Sequence, residues 1–218
     1  MFSIQNHTYS HLKLQFGTEV TKEFLFLLDE ELSKTNSLIE KTFKHTPTGF
    51  RSPMGFPDGL KGEDQILKVL WNNGIRYVSS KAVGRHGTIP ASLSDSFYYD
   101  EEDILHPLLE IPVHGWHDNV LKGYNYCPML WPPLYTWSAI LTPPETPQDE
   151  FLIYRKWFEE AEKMKLSHFG PIFHPWAVYR FNQKAETIAL LLNYIQEKGI
   201  QTNTYEGFNE FTRKNKPI

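Results

Sequence analysis

A chain of 218 residues can bury one sizeable core, and single α/β domains of this length are common, so one domain over 1–218 is expected. The formal net charge of -4 and a pI near 6.1 give no basic field to neutralise phosphates, which argues against nucleic acid as a partner. The lone cysteine, Cys127, rules out an intrachain disulfide and is silent on compartment, while no apolar run approaches the ~20 residues that cross a bilayer.

Ile4-Gln5 reads as the end of a short strand that delivers Asn6-His7-Thr8-Tyr9-Ser10-His11 onto a loop, at the strand edge where α/β folds place their chemistry. Two imidazoles four residues apart can face one point and share a divalent zinc, cobalt or nickel ion. Two ligands are an incomplete catalytic site, and the same pair reads equally well as ordinary loop or helix-cap histidines. Thr18 is the expected N-cap of a helix over Glu19 to Lys41, where Val20, Phe24, Leu27, Leu28, Leu32 and Ile39 recur at helical spacing. Thr46-Pro47-Thr48-Gly49 then breaks the chain and leads to a strand end at Phe50-Arg51.

Glu63 to Asn73 is expected to be helical with Ile66, Leu67, Leu70 and Trp71 on one face and Gly74 as its stop, before a strand over Ile75 to Ser79. Such a strand-helix-strand unit implies parallel strands and a right-handed crossover. Residues 84–103 read as a long loop, Leu108 to Val113 as an apolar strand, and the proline-dense 119–147 as neither a long helix nor a central strand. A second amphipathic helix is expected from Gln148 to Lys165 with Phe151, Tyr154, Trp157, Phe158 and Ala161 inward. A strand over Pro171 to His174, a helix over Gln183 to Lys198 capped by Gly199, a strand over Ile200 to Thr204 and a helix near Glu206 to Thr212 complete the pattern. This alternation argues for a parallel α/β sheet or barrel.

Three stretches carry a family resemblance. Asn6-His7-Thr8-Tyr9-Ser10-His11 resembles the His-[Ser/Thr]-x-x-x-His metal motif of the polysaccharide deacetylases, the NodB-homology carbohydrate esterases. Gly49-Phe50-Arg51-Ser52-Pro53-Met54-Gly55 resembles that family's Arg-x-Pro motif, and Phe173-His174-Pro175 its late histidine, in the family's order and rough spacing. The family's opening Thr-Phe-Asp-Asp strand, with a catalytic base and a third metal ligand, would precede His7, so the expectation is a chain that starts too late to contain it. An N-terminal truncation also weakens the inference from a lacking signal peptide, which leaves cytoplasmic location only as a default. The resemblance implies a distorted, incomplete (β/α) barrel lacking its first strand, of which this chain would keep roughly six. The parallel edge left open invites aggregation or a second copy in a homo-oligomer.

By the same resemblance His7 and His11 are expected to hold a divalent metal, zinc ahead of cobalt or nickel, that polarises an N-acetyl carbonyl and acidifies water. Arg51 matches the arginine that clamps the base, a pairing that suits a guanidinium fork. His174 matches the general acid, with Asp118 as a group that could orient it and a capping role as the competing account of that aspartate. Trp116, Ile172 and Pro53 would line the substrate groove, and Thr8 would stabilise the metal loop through hydrogen bonds. Tyr124, Tyr126, Trp131, Tyr135 and Trp137 could stack on sugar rings or form a packed mini-core. The expected activity is metal-dependent hydrolysis of a non-peptide amide, N-deacetylation of a polysaccharide. Small linear or cyclic amides of the allantoinase type, or a catalytically inactive carbohydrate-binding remnant, are the alternatives. Without the Asp-Asp strand, this chain alone is expected to deacetylate poorly or not at all.

Overall fold

The computed structural model describes residues 2–83, 93–99, 107–115, 144 and 146–215. They fall into two compact units, one drawn from 1–81, 96–112 and 203–218, the other from 82–95 and 113–202.

In the first unit, helix α1 (Lys22–Phe43) buries Phe24, Leu28, Leu32 and Ile39 as one stripe. Its N-cap is Thr21, whose hydroxyl accepts from the Phe24 N–H at 3.1 Å, three residues later than Thr18, which lies in a 3-10 turn at Gly17–Glu19. The stripe excludes Leu27, which stands 43% exposed. Strand β1 (Gly49–Phe56) pairs in parallel with β2 (Tyr77–Lys81), Gly49 opposite Tyr77, Phe50 opposite Val78 and Arg51 opposite Ser79. A Cβ on Gly49 would lie 2.2 Å from the buried Tyr77 ring, so a side chain here would have to displace that ring. Helix α2 (Asp64–Asn72) makes the crossover, burying Ile66, Leu67 and Leu70, and Gly74 at φ 82° ends it.

A short strand β3 (Phe97–Tyr98) lies in the stretch expected to be loop and pairs antiparallel with β4 (Leu109–Glu110), which is itself parallel to β2. The sheet is therefore mixed and open, in the order β1-β2-β4-β3. The ladder of β4 is much shorter than Leu108 to Val113, although the Ile111 N–H still reaches the Val78 carbonyl at 2.8 Å. Outside β1, Asn6 makes a single parallel bridge to Phe50. Leu14, Phe24, Leu28, Leu32, Phe50, Ile66, Leu70 and Val78 form the core between helices and sheet. The expected strand over 200–204 is coil, because the Thr204 hydroxyl accepts from the Gly207 N–H at 3.0 Å and starts a helix instead. That helix is the last of the chain, Tyr205–Asn215.

In the second unit, α3 (Pro147–Lys163) begins at a capping box between Thr146 and Asp149. It buries Phe151, Tyr154, Trp157, Phe158 and Ala161 as their spacing predicts. The segment 171–174 forms no strand. Its one bridge residue is Ile172, whose N–H donates to the Gly115 carbonyl at 2.8 Å. Pro175 then starts a short helix α4 (Pro175–Phe181) at its preferred first position. Helix α5 (Glu186–Glu197) packs Leu190, Leu191 and Tyr194 into the cluster around Trp157, and the final helix of the first unit is accordingly α6.

Candidate metal and active site

The loop that carries the two histidines is built on Asn6. Its fully buried side chain accepts from the Thr8 N–H at 2.9 Å and donates to the Leu32 carbonyl at 3.0 Å and to Asn36 Oδ1 at 2.7 Å. Asn36 in turn donates to the Asn73 carbonyl at 3.0 Å, tying the loop to the C-terminal end of α2 through α1. Thr8 holds the next turn, its hydroxyl accepting from the Leu12 N–H at 2.8 Å. Both Thr8 and His11 have left-handed backbone, φ 57° and 61°, a conformation that β-branched and aromatic residues adopt at a cost and that clusters at functional loops.

The two imidazoles meet edge to face with ring centroids 4.9 Å apart. His7 Nδ1 lies 2.7 Å from the carbonyl oxygen of Arg51. A carbonyl only accepts, so Nδ1 bears the proton and the lone pair of the neutral ring is on Nε2, the arrangement that metal-ligating histidines use. Donor chemistry and ring proximity thus fit half of a zinc-type site. Among the described residues no group of three or more histidine, cysteine or carboxylate side chains converges to complete it.

Arg51 is the third residue of β1, where the regular pairing with β2 ends. Its N–H donates to the Asn6 carbonyl at 2.9 Å, so one residue grips the histidine loop with both backbone polar groups. Its Nη1 donates to the Ser79 carbonyl at 2.9 Å and to the Ser79 hydroxyl at 3.0 Å. Burial pulls the guanidinium below its ordinary value, while Tyr205 and Glu110 favour the cation. Tyr205, on α6, is pushed up to about 12 by burial, with Arg51 opposing the shift. Pro53 is buried within β1.

Sequence reasoning overlooked Glu110. It is a fully buried carboxyl that accepts from the Ser80 and Lys81 N–H groups, each at 2.8 Å, from the Ser80 hydroxyl at 2.7 Å and from the Tyr99 hydroxyl at 2.5 Å. Burial pushes this carboxyl up, and the hydrogen bonds from Tyr99, Lys81 and Ser80 oppose that. Tyr99 accepts from the Leu60 N–H at 2.8 Å, and Gly59, at φ 66°, leaves room for its hydroxyl, since a Cβ there would lie 2.3 Å away. The available signal was a charged residue inside the apolar run Leu108-Leu109-Glu110-Ile111.

Of the remaining expected site residues, Ile172 and His174 belong to the second unit. Both are half-buried. His174 is the N-cap residue of α4, its ring stacked on Trp176 at 6.0 Å between centroids and its carbonyl accepting from the Ala177 and Val178 N–H groups. Asp118, Trp116 and the aromatics at 124–137 lie outside the described residues.

Comparison with known families rests on the histidine loop and β1: residues 2–78 match the polysaccharide deacetylase family model. Over that stretch the chain is similar to the polysaccharide deacetylases. The match contains His7, His11, Arg51 and Ser52-Pro53, and ends one residue before the Ser79 that holds the arginine. No curated protein matches. A solved structure from Mycobacterium smegmatis that bears the polysaccharide deacetylase name is 14% identical, with a TM-score of 0.63 over 97% of this chain and 63% of its own. One of the same name from Pseudomonas aeruginosa PAO1 is 12% identical, with a TM-score of 0.65 over 99% of this chain and 60% of its own. The allantoinase Puue is 12% identical, with a TM-score of 0.60 over 98% of this chain and 60% of its own. These likenesses establish the fold, an α/β architecture with an open, incompletely formed sheet of the distorted deacetylase-barrel type. The chain spans about three fifths of the length of the structures it matches.

Among the described residues no helix is long and apolar enough to cross a membrane.

Proposed function

We propose that the protein is a metal-dependent hydrolase of non-peptide carbon–nitrogen bonds, acting as an N-deacetylase on a polysaccharide. The observation that carries this is the 2.7 Å contact between His7 Nδ1 and the Arg51 carbonyl, which sets the tautomer of a metal ligand beside a second imidazole. His7 and His11 would hold a divalent ion, zinc by the chemistry of two imidazoles, with cobalt or nickel also suited. Such an ion supplies Lewis acidity to an amide carbonyl and lowers the pKa of water.

Other residues of this chain would take supporting roles. Arg51, charged and partly buried, presents a fork able to orient a carboxylate base. His174 is the proton donor for the departing amine, assigned on the family's late-histidine motif. Ile172 and Pro53 are assigned to the acetyl-binding wall, and Asp118 and Trp116 to orienting the acid and lining the groove, on the same motif grounds.

The test is zinc binding by the dialysed protein, followed by acetate or amine release from chitin oligomers, peptidoglycan and small cyclic amides. Zinc uptake that both His7→Ala and His11→Ala abolish is the expected result. Equal zinc uptake by wild type and both variants overturns the proposal, and release from the cyclic amides alone transfers it to the allantoinase-like class.

A further inference from the structure

Glu110 is fully buried on β4, an expensive place for a carboxyl unless every oxygen is satisfied, and the chemistry proposed above makes no use of it. Its position explains what it does. The pairing of β2 with β4 stops at Val78 opposite Glu110. Ser80 and Lys81 are the β2 residues beyond that pair. Both of their N–H groups converge on Glu110 Oε1, at 2.8 Å each. Oε2 is clamped by the Ser80 hydroxyl at 2.7 Å and the Tyr99 hydroxyl at 2.5 Å.

The residue before this anchor is Ser79, whose carbonyl and hydroxyl receive Arg51 Nη1 at 2.9 and 3.0 Å. We propose that Glu110 is a positioning residue for Arg51, its side-chain oxygen standing in for a strand carbonyl so that the Ser79–Lys81 main chain holds the guanidinium in one orientation. The functional importance of this rests on the role given to Arg51 above, but the positioning itself does not. A glutamine at 110 would keep the acceptor for the two N–H groups, and the hydroxyls of Ser80 and Tyr99 can turn to accept from its amide. A methionine fills similar space and offers neither N–H a proper acceptor.

The experiment follows the guanidinium NMR resonance of Arg51, assigned by its disappearance in Arg51→Lys. Wild type should show a resolved, slowly exchanging signal. Glu110→Met should broaden or average it while circular dichroism and core methyl resonances keep their native form, and Glu110→Gln should restore it. An unchanged Arg51 signal in folded Glu110→Met, or a signal as averaged in Glu110→Gln as in Glu110→Met, overturns the proposal. Should Glu110→Met fail to fold, Tyr99→Phe removes one clamp from Oε2 and keeps the ring; partial broadening supports the proposal and an unchanged signal overturns it. In a turnover assay kcat should fall about tenfold or more in Glu110→Met with KM unchanged, since small misplacements of a positioned group cost up to roughly 10²-fold. If zinc uptake by wild type and both histidine variants is equal, the deacetylase assignment fails while the resonance still decides the role of Glu110.

Discussion

His7 and Arg51 are joined twice over through the backbone of β1: the arginine's carbonyl fixes the imidazole at 2.7 Å, and its N–H takes the carbonyl of the preceding Asn6 at 2.9 Å. A candidate metal ligand and a candidate clamp for a carboxylate are therefore set by the same two contacts, and neither can shift without the other. The consequence for metal binding is direct. His7→Ala and His11→Ala should each reduce zinc affinity by more than the roughly 10–100-fold that losing an outer-shell partner of a metal ligand produces, read by calorimetric titration of the dialysed protein. Of the two, His7→Ala should be the more severe, because its ring is oriented in advance and His11 is exposed.

Asn6 supports that loop from beneath, with a side chain that reaches Thr8, Leu32 and Asn36 from a fully buried position. Asn6→Ala strips partners from the Thr8 N–H and from Asn36, and leaving buried polar groups unpaired costs about 1–3 kcal/mol each. Urea denaturation should therefore register a loss of about 2 kcal/mol or more, and zinc affinity should fall although no ligand has changed. A variant as stable as wild type would mean that the loop does not depend on this network.

The contrast between what was legible in the sequence and what was not has a physical cause in each case. Helices announced themselves because burial recurs along one stripe: Ile66, Leu67 and Leu70 in α2, and Phe151, Tyr154, Trp157, Phe158 and Ala161 in α3 are all buried as their spacing requires. Boundaries were set by polar details that periodicity does not carry, which is how Thr21 rather than Thr18 caps α1. Strands fared worse. The runs at 171–174 and 200–204 have apolar or β-branched residues, yet Pro175 and Thr204 each start a helix there. The motifs of His7, His11 and Arg51 are local, and the fold places His7 in contact with both of the others. Asn6, Ser79, Tyr99 and Glu110 were not legible, because their roles arise only when segments up to about fifty residues apart in the chain are brought side by side.

Gly59 tests how tightly that buried cluster is built. Its φ of 66° is one that L side chains rarely adopt, and a Cβ would lie 2.3 Å from the Tyr99 hydroxyl and 3.3 Å from Glu110 Oε2. Gly59→Ala combines backbone strain with displacement of a hydrogen-bonded phenol, so destabilisation of about 1–3 kcal/mol is expected. Thermal denaturation would reveal it as a Tm several degrees lower, and a Tm equal to wild type would show that Tyr99 can withdraw freely.

The titration of Glu110 gives the last prediction. Burial raises its carboxyl above the ordinary 4.5, and its four hydrogen bonds only partly offset that. The folded protein therefore binds this proton more tightly than the unfolded chain, and stability linked to it is fully present below the ordinary value. As pH rises above about 4.5 the unfolded chain releases the proton first, and the contribution is lost progressively until the folded carboxyl also ionises. Glu110→Gln has no proton to lose at this position and keeps the acceptor for Ser80 and Lys81. The stability of wild type relative to Glu110→Gln should therefore be greatest in acid and decline as pH rises from about 4.5, with other titrating groups cancelling between the two proteins. Urea denaturation of both, run in parallel from pH 4 to pH 8, measures the difference. A difference that stays constant with pH would mean that Glu110 is ionised equally easily in the folded and unfolded chains, and a difference that grows with pH would mean that its hydrogen bonds from Ser80, Lys81 and Tyr99 outweigh its burial.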